Sequence, residues 1–161
     1  MRRLVQILAT CVALLWAAAL TSVLSAAERN STAAGGYLIH HSVFNSGFLK
    51  PEIAAAHGLI RGANRALVNV AVTRVRGDGE GGGEGGGGRY GLPVAVAGEA
   101  RNLMQQVTRL DFIEIREAGA TYYLAPFKFA DREILHFHLQ VRLPEESRAR
   151  SVRFTRTLYR D

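Results

Sequence analysis

The sequence predicts an all-β protein, an antiparallel two-sheet sandwich of immunoglobulin-like architecture with one short helix. Three observations predict it. From Ala66 onward apolar residues recur with period two, the spacing that places alternate side chains on one face of a strand. About seven such runs follow one another through short turns, without the alternating helices that a parallel sheet requires. The one stretch with helix punctuation is short. A closed barrel is the competing arrangement of the same strands.

Residues 28–36 are small and polar and read as a disordered leader. Tyr37 to Phe44 is apolar and β-branched enough for a first strand. Lys50 to Gly58 has Pro51 at the first helical position, alanines in the body and Gly58 as a stop, so it reads as the helix. Val68, Val70 and Val72 share a face against Asn69, Ala71 and Thr73. Val94 to Leu103, Thr108 to Glu117, Ala120 to Phe129 and Ser151 to Arg160 also have strand composition. Within 108–117 the apolar parity switches between Leu110/Phe112 and Ile113/Ile115, which predicts a β-bulge or burial on both faces. Leu135, Phe137, Leu139, Val141 and Leu143 alternate most cleanly, against His136, His138, Gln140 and Arg142. The sandwich domain therefore spans 37–161. It is interrupted at 77–91 by a segment holding ten of the chain's 17 glycines, too costly in entropy to pack and read as a flexible loop. That segment lacks the Gly-Lys-Ser/Thr of a phosphate cradle.

The first 27 residues locate the protein. Met1-Arg2-Arg3 is followed by an apolar run from Leu4 to Leu24 and by the small residues Ser25-Ala26-Ala27, the pattern of a secretory signal peptide cleaved after Ala27. An uncleaved anchor is the alternative, since the run is about as long as a membrane span of roughly 20 residues. Either way the domain is exported, and periplasmic localisation follows, with no stable membrane span after cleavage. Cys11, the single cysteine, lies inside the run and leaves with it, so the domain has neither disulfides nor thiol chemistry. The loss of Arg2 and Arg3 lowers the net charge from +6 to +4, because the segment contains no acid. A basic exported chain meets an envelope protein or an anionic envelope surface rather than nucleic acid. Arg148, Arg150, Arg153, Arg156 and Arg160 concentrate that charge near the C-terminus, where they also guard an edge strand against pairing with other chains.

Chemistry-bearing patterns are sparse. His136 and His138 lie two apart on the polar face of a strand and point the same way, about 7 Å apart, which is ligand spacing for zinc or copper. A third ligand would come from His40, His41, Asp131 or Glu133, and at most one of the adjacent His40 and His41 can join, because they face opposite ways. Two solvent-facing histidines are the plainer account. No Gly-x-Ser-x-Gly occurs, and the carboxylates Asp111 with Glu114, or Asp131 with Glu133, alternate with cations as on an ordinary strand face. No catalytic residue and no cofactor is therefore expected. Phe44, Asn45 and Phe48 offer a possible binding surface, two aromatics flanking a turn beside the short helix.

Taken in order, His41-Ser42-Val43-Phe44-Asn45-Ser46-Gly47-Phe48-Leu49-Lys50-Pro51, Val68-Asn69-Val70-Ala71-Val72, Phe112-Ile113-Glu114-Ile115-Arg116-Glu117, Tyr122-Tyr123-Leu124-Ala125-Pro126-Phe127 and Phe137-His138-Leu139-Gln140-Val141 are similar to blocks of an exported gammaproteobacterial family known as a domain of unknown function, DUF4426. The resemblance covers about residues 37–159. It implies a single-domain periplasmic β-protein and carries no activity with it. The glycine segment, Gly47 and His57 depart from the family's usual pattern. The expectation is a non-enzymatic binding or accessory module of the cell envelope, with a zinc- or copper-binding protein using His136 and His138 as the alternative. Mass spectrometry of the exported protein is expected to give Glu28 as the first residue; a full-length membrane-bound product would favour the anchor instead.

Overall fold

Alternating burial along nine strands of the described residues builds two antiparallel sheets face to face. The computed structural model describes residues 30–75, 91–117 and 119–161. In chain order the elements are β1 (Ser31–Ala34), β2 (Tyr37–Asn45), a single 3-10 turn (Ser46–Phe48), helix α1 (Pro51–Ala56), β3 (Arg65–Arg74), β4 (Ala95–Asn102), β5 (Val107–Leu110), β6 (Ile113–Glu117), β7 (Ala120–Lys128), β8 (Glu133–Arg142) and β9 (Arg150–Leu158). The first sheet runs β1-β2-β3-β7-β6 and the second β5-β4-β8-β9. The expected two-sheet antiparallel sandwich with one short helix is the observed fold. The expected signal peptide at 1–27 and nearly all of the glycine segment at 77–91 lie outside the described residues.

Ile39 of β2, Val68, Val70 and Val72 of β3 and Ala125 of β7 face Phe137, Leu139 and Val141 of β8 and Val152 of β9, and each of these is essentially sealed from water. Removing side chains of this size from water stabilises the fold by about 1.5–3 kcal/mol each. A smaller cluster lies on the opposite face of the first sheet, where Ala54 of α1 and Leu59 cover Leu67, Ile115 and Leu124. The helix forms where its punctuation predicts, with Pro51 at its start and Gly58 at φ 64° beyond its end. His57 closes it and ties it to β6 through Nε2, 3.0 Å from Glu117 Oε1.

Two expectations are corrected. The leader expected to be disordered over 28–36 contains a strand: β1 pairs with β2 from Ser31 opposite His40 to Ala34 opposite Tyr37. Gly35 and Gly36 make the turn at φ 55° and 78°. Two positive φ values in a two-residue loop are what a tight hairpin matched to strand twist demands, and paired glycines supply them without strain. The small polar residues of β1 are tolerated because backbone pairing, not side-chain burial, holds an edge strand. The second correction concerns 108–117, which is neither one bulged strand nor one buried on both faces. Leu110 faces the interior from β5 in the second sheet, whereas Ile115 lies under the helix on β6 in the first. The parity switch marks the crossing between sheets at Asp111-Phe112, with Phe112 packed against the core as the chain passes.

Gly91 occupies a position no side chain could share, at φ 84° with a Cβ placed only 1.7 Å from the Thr121 carbonyl oxygen. Phe137 is central to the core and is expected to cost about 3–5 kcal/mol when truncated to alanine. Its neighbour His136 points outward, and His136→Ala is expected to cost less than about 1 kcal/mol. Chemical denaturation of both variants checks this, and comparable losses would mean that β8 does not present its faces as described.

Candidate functional site

Strand alternation decides what each face offers. Because residues directly opposite in an antiparallel ladder share a face, His136 and His138 of β8 stand on the outer face of the second sheet, His136 between Arg101 of β4 and Thr155 of β9 and His138 between Glu99 and Arg153. His136 Nδ1 lies 2.9 Å from Thr155 Oγ1, and His138 Nε2 lies 2.9 Å from both Ser151 Oγ and Gln140 Nε2. Each imidazole thus spends one ring nitrogen on neighbouring side chains. The other sequence candidates are elsewhere. His40 faces outward from the first sheet, with Nε2 3.1 Å from Thr73 Oγ1, and His41 faces inward. Asp131 accepts the Arg160 backbone N–H at 3.0 Å, and Glu133 accepts from the Asn102 side chain and the Ala130 N–H. Among the described residues no three His, Cys, Asp or Glu side chains gather around one point. The carboxylates weighed as catalytic pairs have separate partners, Asp111 with Arg109 and Glu114 with Arg116.

The second candidate region is the end of the sandwich where β2, β4, β7 and β9 finish and β3, β5 and β8 begin. Asn45, Phe48 and Phe44 do not form one rim. Phe44 packs beneath the helix, Asn45 Nδ2 donates to the Tyr159 carbonyl at 2.8 Å and to Asp161 Oδ1 at 2.6 Å, and Phe48 alone is open, with 77% of its surface exposed. The 3-10 turn that carries Phe48 is anchored by buried Ser46, whose hydroxyl donates to the Gly62 carbonyl at 3.2 Å and accepts the Gly62 N–H at 3.0 Å. This brings Ile60 and Arg61 alongside, and Arg61 Nη2 donates to the Gly47 carbonyl at 2.9 Å. Sequence reasoning did not find the other exposed apolar residues at this end: Leu103 and Met104 at the β4–β5 turn are 64% and 74% exposed, and Tyr159 after β9 is 60% exposed. No sequence signal unites them, because only strand order places their loops at the same end of the sandwich.

Between the sheets at this end lies a cleft of about 300 Å³ whose lining includes Asn102, Gln106, Thr108, Lys128, Glu133 and Arg160. Its back wall is fixed by Asn102, which donates to Gln106 Oε1 at 2.8 Å and Glu133 Oε1 at 3.1 Å and accepts the Gln106 N–H at 3.0 Å. A buried amide with its bonding satisfied holds a polar wall rigid.

The interior holds one unusual group. His41 is only 4% exposed, its ring stacks on Phe154 with centroids 4.4 Å apart, and its Nδ1 is buried without a hydrogen-bond partner. Burial, then the Arg156 guanidinium, then His40, hold its pKa below the usual histidine value. At the helix end, hydrogen bonds from His57 and from the Tyr122 hydroxyl hold Glu117 below the usual carboxylate range. Burial raises Tyr123, whose hydroxyl accepts the Val94 N–H at 2.7 Å and donates to Glu114 Oε2 at 3.1 Å, pinning the approach to β4 onto β7.

A family model described as Domain of unknown function (DUF4426) matches residues 31–161. The crystal structure of a DUF4426 family protein from Pseudomonas aeruginosa PAO1 is 31% identical, with a TM-score of 0.67 over 81% of this chain and 94% of that one. FetP of uropathogenic E. coli strain F11, recombinantly expressed in the E. coli periplasm, is 11% identical with a TM-score of 0.56, over 81% of this chain and 93% of FetP. A copper-bound variant of Campylobacter jejuni P19 is 11% identical with a TM-score of 0.54, over 81% of this chain and 94% of P19. The last two likenesses are of fold alone. No curated protein matches the chain in sequence.

A histidine whose pKa is lowered on folding takes up its proton more readily in the unfolded chain, so acidification favours unfolding. His41 contributes its full stabilisation above the ordinary value of 6.5 and loses it progressively as the pH falls towards its lowered folded value. The melting temperature of the wild type is expected to fall more between about pH 7.5 and 5.5 than that of His41→Phe, which keeps a ring on Phe154 and removes the titration. Parallel curves for the two proteins would assign the acid sensitivity to another group.

Proposed function

The chain belongs to the DUF4426 family, and from that premise we propose that it is a periplasmic, non-enzymatic binding or accessory module of the cell envelope that engages an envelope protein through the loop end of its sandwich. One observation carries this reading: Phe48, Ile60, Leu103, Met104 and Tyr159 expose most of their surfaces from loops at the same end of the fold. Exposed large apolar side chains stabilise nothing in the isolated domain, whereas aromatic residues and methionine are enriched where proteins meet. The cleft behind them provides fixed polar groups for specificity, with Asn102 and Glu133 already positioned. Export is supported by the basic start, apolar run and small-residue site of the first 27 residues.

A photo-crosslinking residue placed at Phe48 or Met104 in the living envelope is expected to trap one discrete partner, while the same residue at Arg109, on the outer face of the second sheet, traps none. Replacing Phe48 and Met104 by serine is expected to abolish trapping from a probe at Tyr159 without lowering the melting temperature. Equal labelling from all positions would remove the loop end as the binding surface.

The second reading is a zinc or copper site at His136 and His138. It is supported by two imidazoles sharing a face and by the copper-bound state of P19, which has the same fold. Micromolar metal would then raise the melting temperature of the wild type and leave the double alanine variant unchanged. No shift in the wild type rejects it.

A further inference from the structure

The outer face of the second sheet has a charge pattern that neither reading uses. Register places Arg109 of β5, Glu99 of β4, His138 of β8 and Arg153 of β9 in one row across the sheet, and Val107, Arg101, His136 and Thr155 in the next. Arg142 follows further along β8, opposite Ala95. Four arginines and two histidines therefore share this face with one strand carboxylate, Glu99, which Arg101 already engages at 3.2 Å. A shallow depression of about 390 Å³ lies over the middle of it, lined by Arg101, His136, His138, Arg153 and Thr155 among others.

We propose that this depression binds a phosphate-type oxyanion, either free or displayed by a lipid headgroup. The reasons are geometric and electrostatic. Same-face groups on adjacent strands stand about 5 Å apart and those along one strand about 7 Å apart, so donors from β4, β8 and β9 can converge on one tetrahedral anion. The Arg153 side chain has no hydrogen bond or ion pair among the described residues, and its planar fork of five N–H groups matches a phosphate edge in a way a point charge does not. The pair formed by Thr155 and His136 adds one neutral donor beside it: the Thr155 hydroxyl when His136 Nδ1–H donates to Oγ1, or His136 Nε2–H when the hydroxyl donates to Nδ1. A divalent cation in the same place would face Arg101 and Arg153 with only Glu99 to offset them. The pattern thus favours the opposite sign of ligand from the one the two histidines suggest in isolation.

The test uses the whole exported chain at constant ionic strength, so that general screening does not masquerade as binding. In one arm inorganic phosphate is titrated and followed by the ring signals of His136 and His138; in the other, co-sedimentation is measured with phosphatidylcholine vesicles with and without phosphatidic acid. Saturable binding in the first arm identifies free phosphate as sufficient; binding only to vesicles containing phosphatidic acid identifies the headgroup as the source. In either case Arg153→Ala is expected to weaken binding at least tenfold, and Arg153→Lys, which keeps the charge and loses the fork, to fall between the two. Unchanged melting temperatures show that the variants remain folded. Absence of saturable binding in both arms, or equal binding by wild type and Arg153→Ala, overturns the proposal.

Discussion

Four rings set in a line hold the two sheets together. Phe127 of β7 meets Phe137 of β8 edge-on with centroids 5.6 Å apart, Phe137 stacks on Phe154 of β9 at 4.9 Å, and Phe154 stacks on His41 of β2 at 4.4 Å. The line starts in the first sheet, runs through two strands of the second and returns to the first. Neither sheet can slide along the other without breaking a ring contact, and such contacts contribute about 0.5–1.5 kcal/mol each beyond the area they bury. Small residues such as Ala66, Ala100 and Ala125 fill the space beside the rings. With no disulfide available to the domain, this interlock must supply the rigidity that presents the loop end and the outer face.

The terminal ring of the line carries a cost. A phenylalanine at position 41 would pack the same space without burying an unpaired nitrogen, and yet the chain places an imidazole there, beside Arg156. Arg156 itself faces inward from an edge strand, 5.6 Å above the Phe154 ring, and its Nη2 reaches Asn30 Oδ1 at 2.6 Å. Asn30 in turn accepts the backbone N–H of His41 at 2.8 Å. The open side of the sandwich is therefore closed by polar bonds laid over an aromatic floor rather than by more apolar packing.

Much of the architecture could be read from the chain, because the period of burial is written residue by residue. Leu135, Phe137, Leu139 and Val141 against His136, His138 and Gln140 fixed the two faces of β8, and Pro51 with Gly58 fixed the helix. What escaped depends on partners distant in sequence. The parity switch after Leu110 was visible, but whether a chain bulges or changes sheets is decided by which strands await it. β1 escaped because an edge strand of Ser, Thr and Ala has no apolar face, although the Gly35-Gly36 pair signalled a hairpin. For the candidate sites, the histidine pair was legible as a pattern but its setting was not: Arg101, Glu99, Arg153 and Thr155 belong to strands that only register brings alongside. The placement of Phe48, Ile60, Leu103, Met104 and Tyr159 at one end of the sandwich likewise follows from strand order, across separations that no local pattern spans.

The bonds made by Asn30 set a limit on how far the chain can be trimmed. Among the described residues, the contacts of the closing seam begin at Asn30, with its carbonyl on His41 and its side chain on Arg156. Loss of Asn30 itself would remove both bonds at once, and loss of the four residues after it would strip β2 of its outer neighbour and leave a row of unsatisfied backbone groups along β2. Here a two-glycine hairpin folds the segment back along the edge of the first sheet. The same short strand thus acts as a ratchet pawl: shortening past it exposes an edge on which another chain can pair.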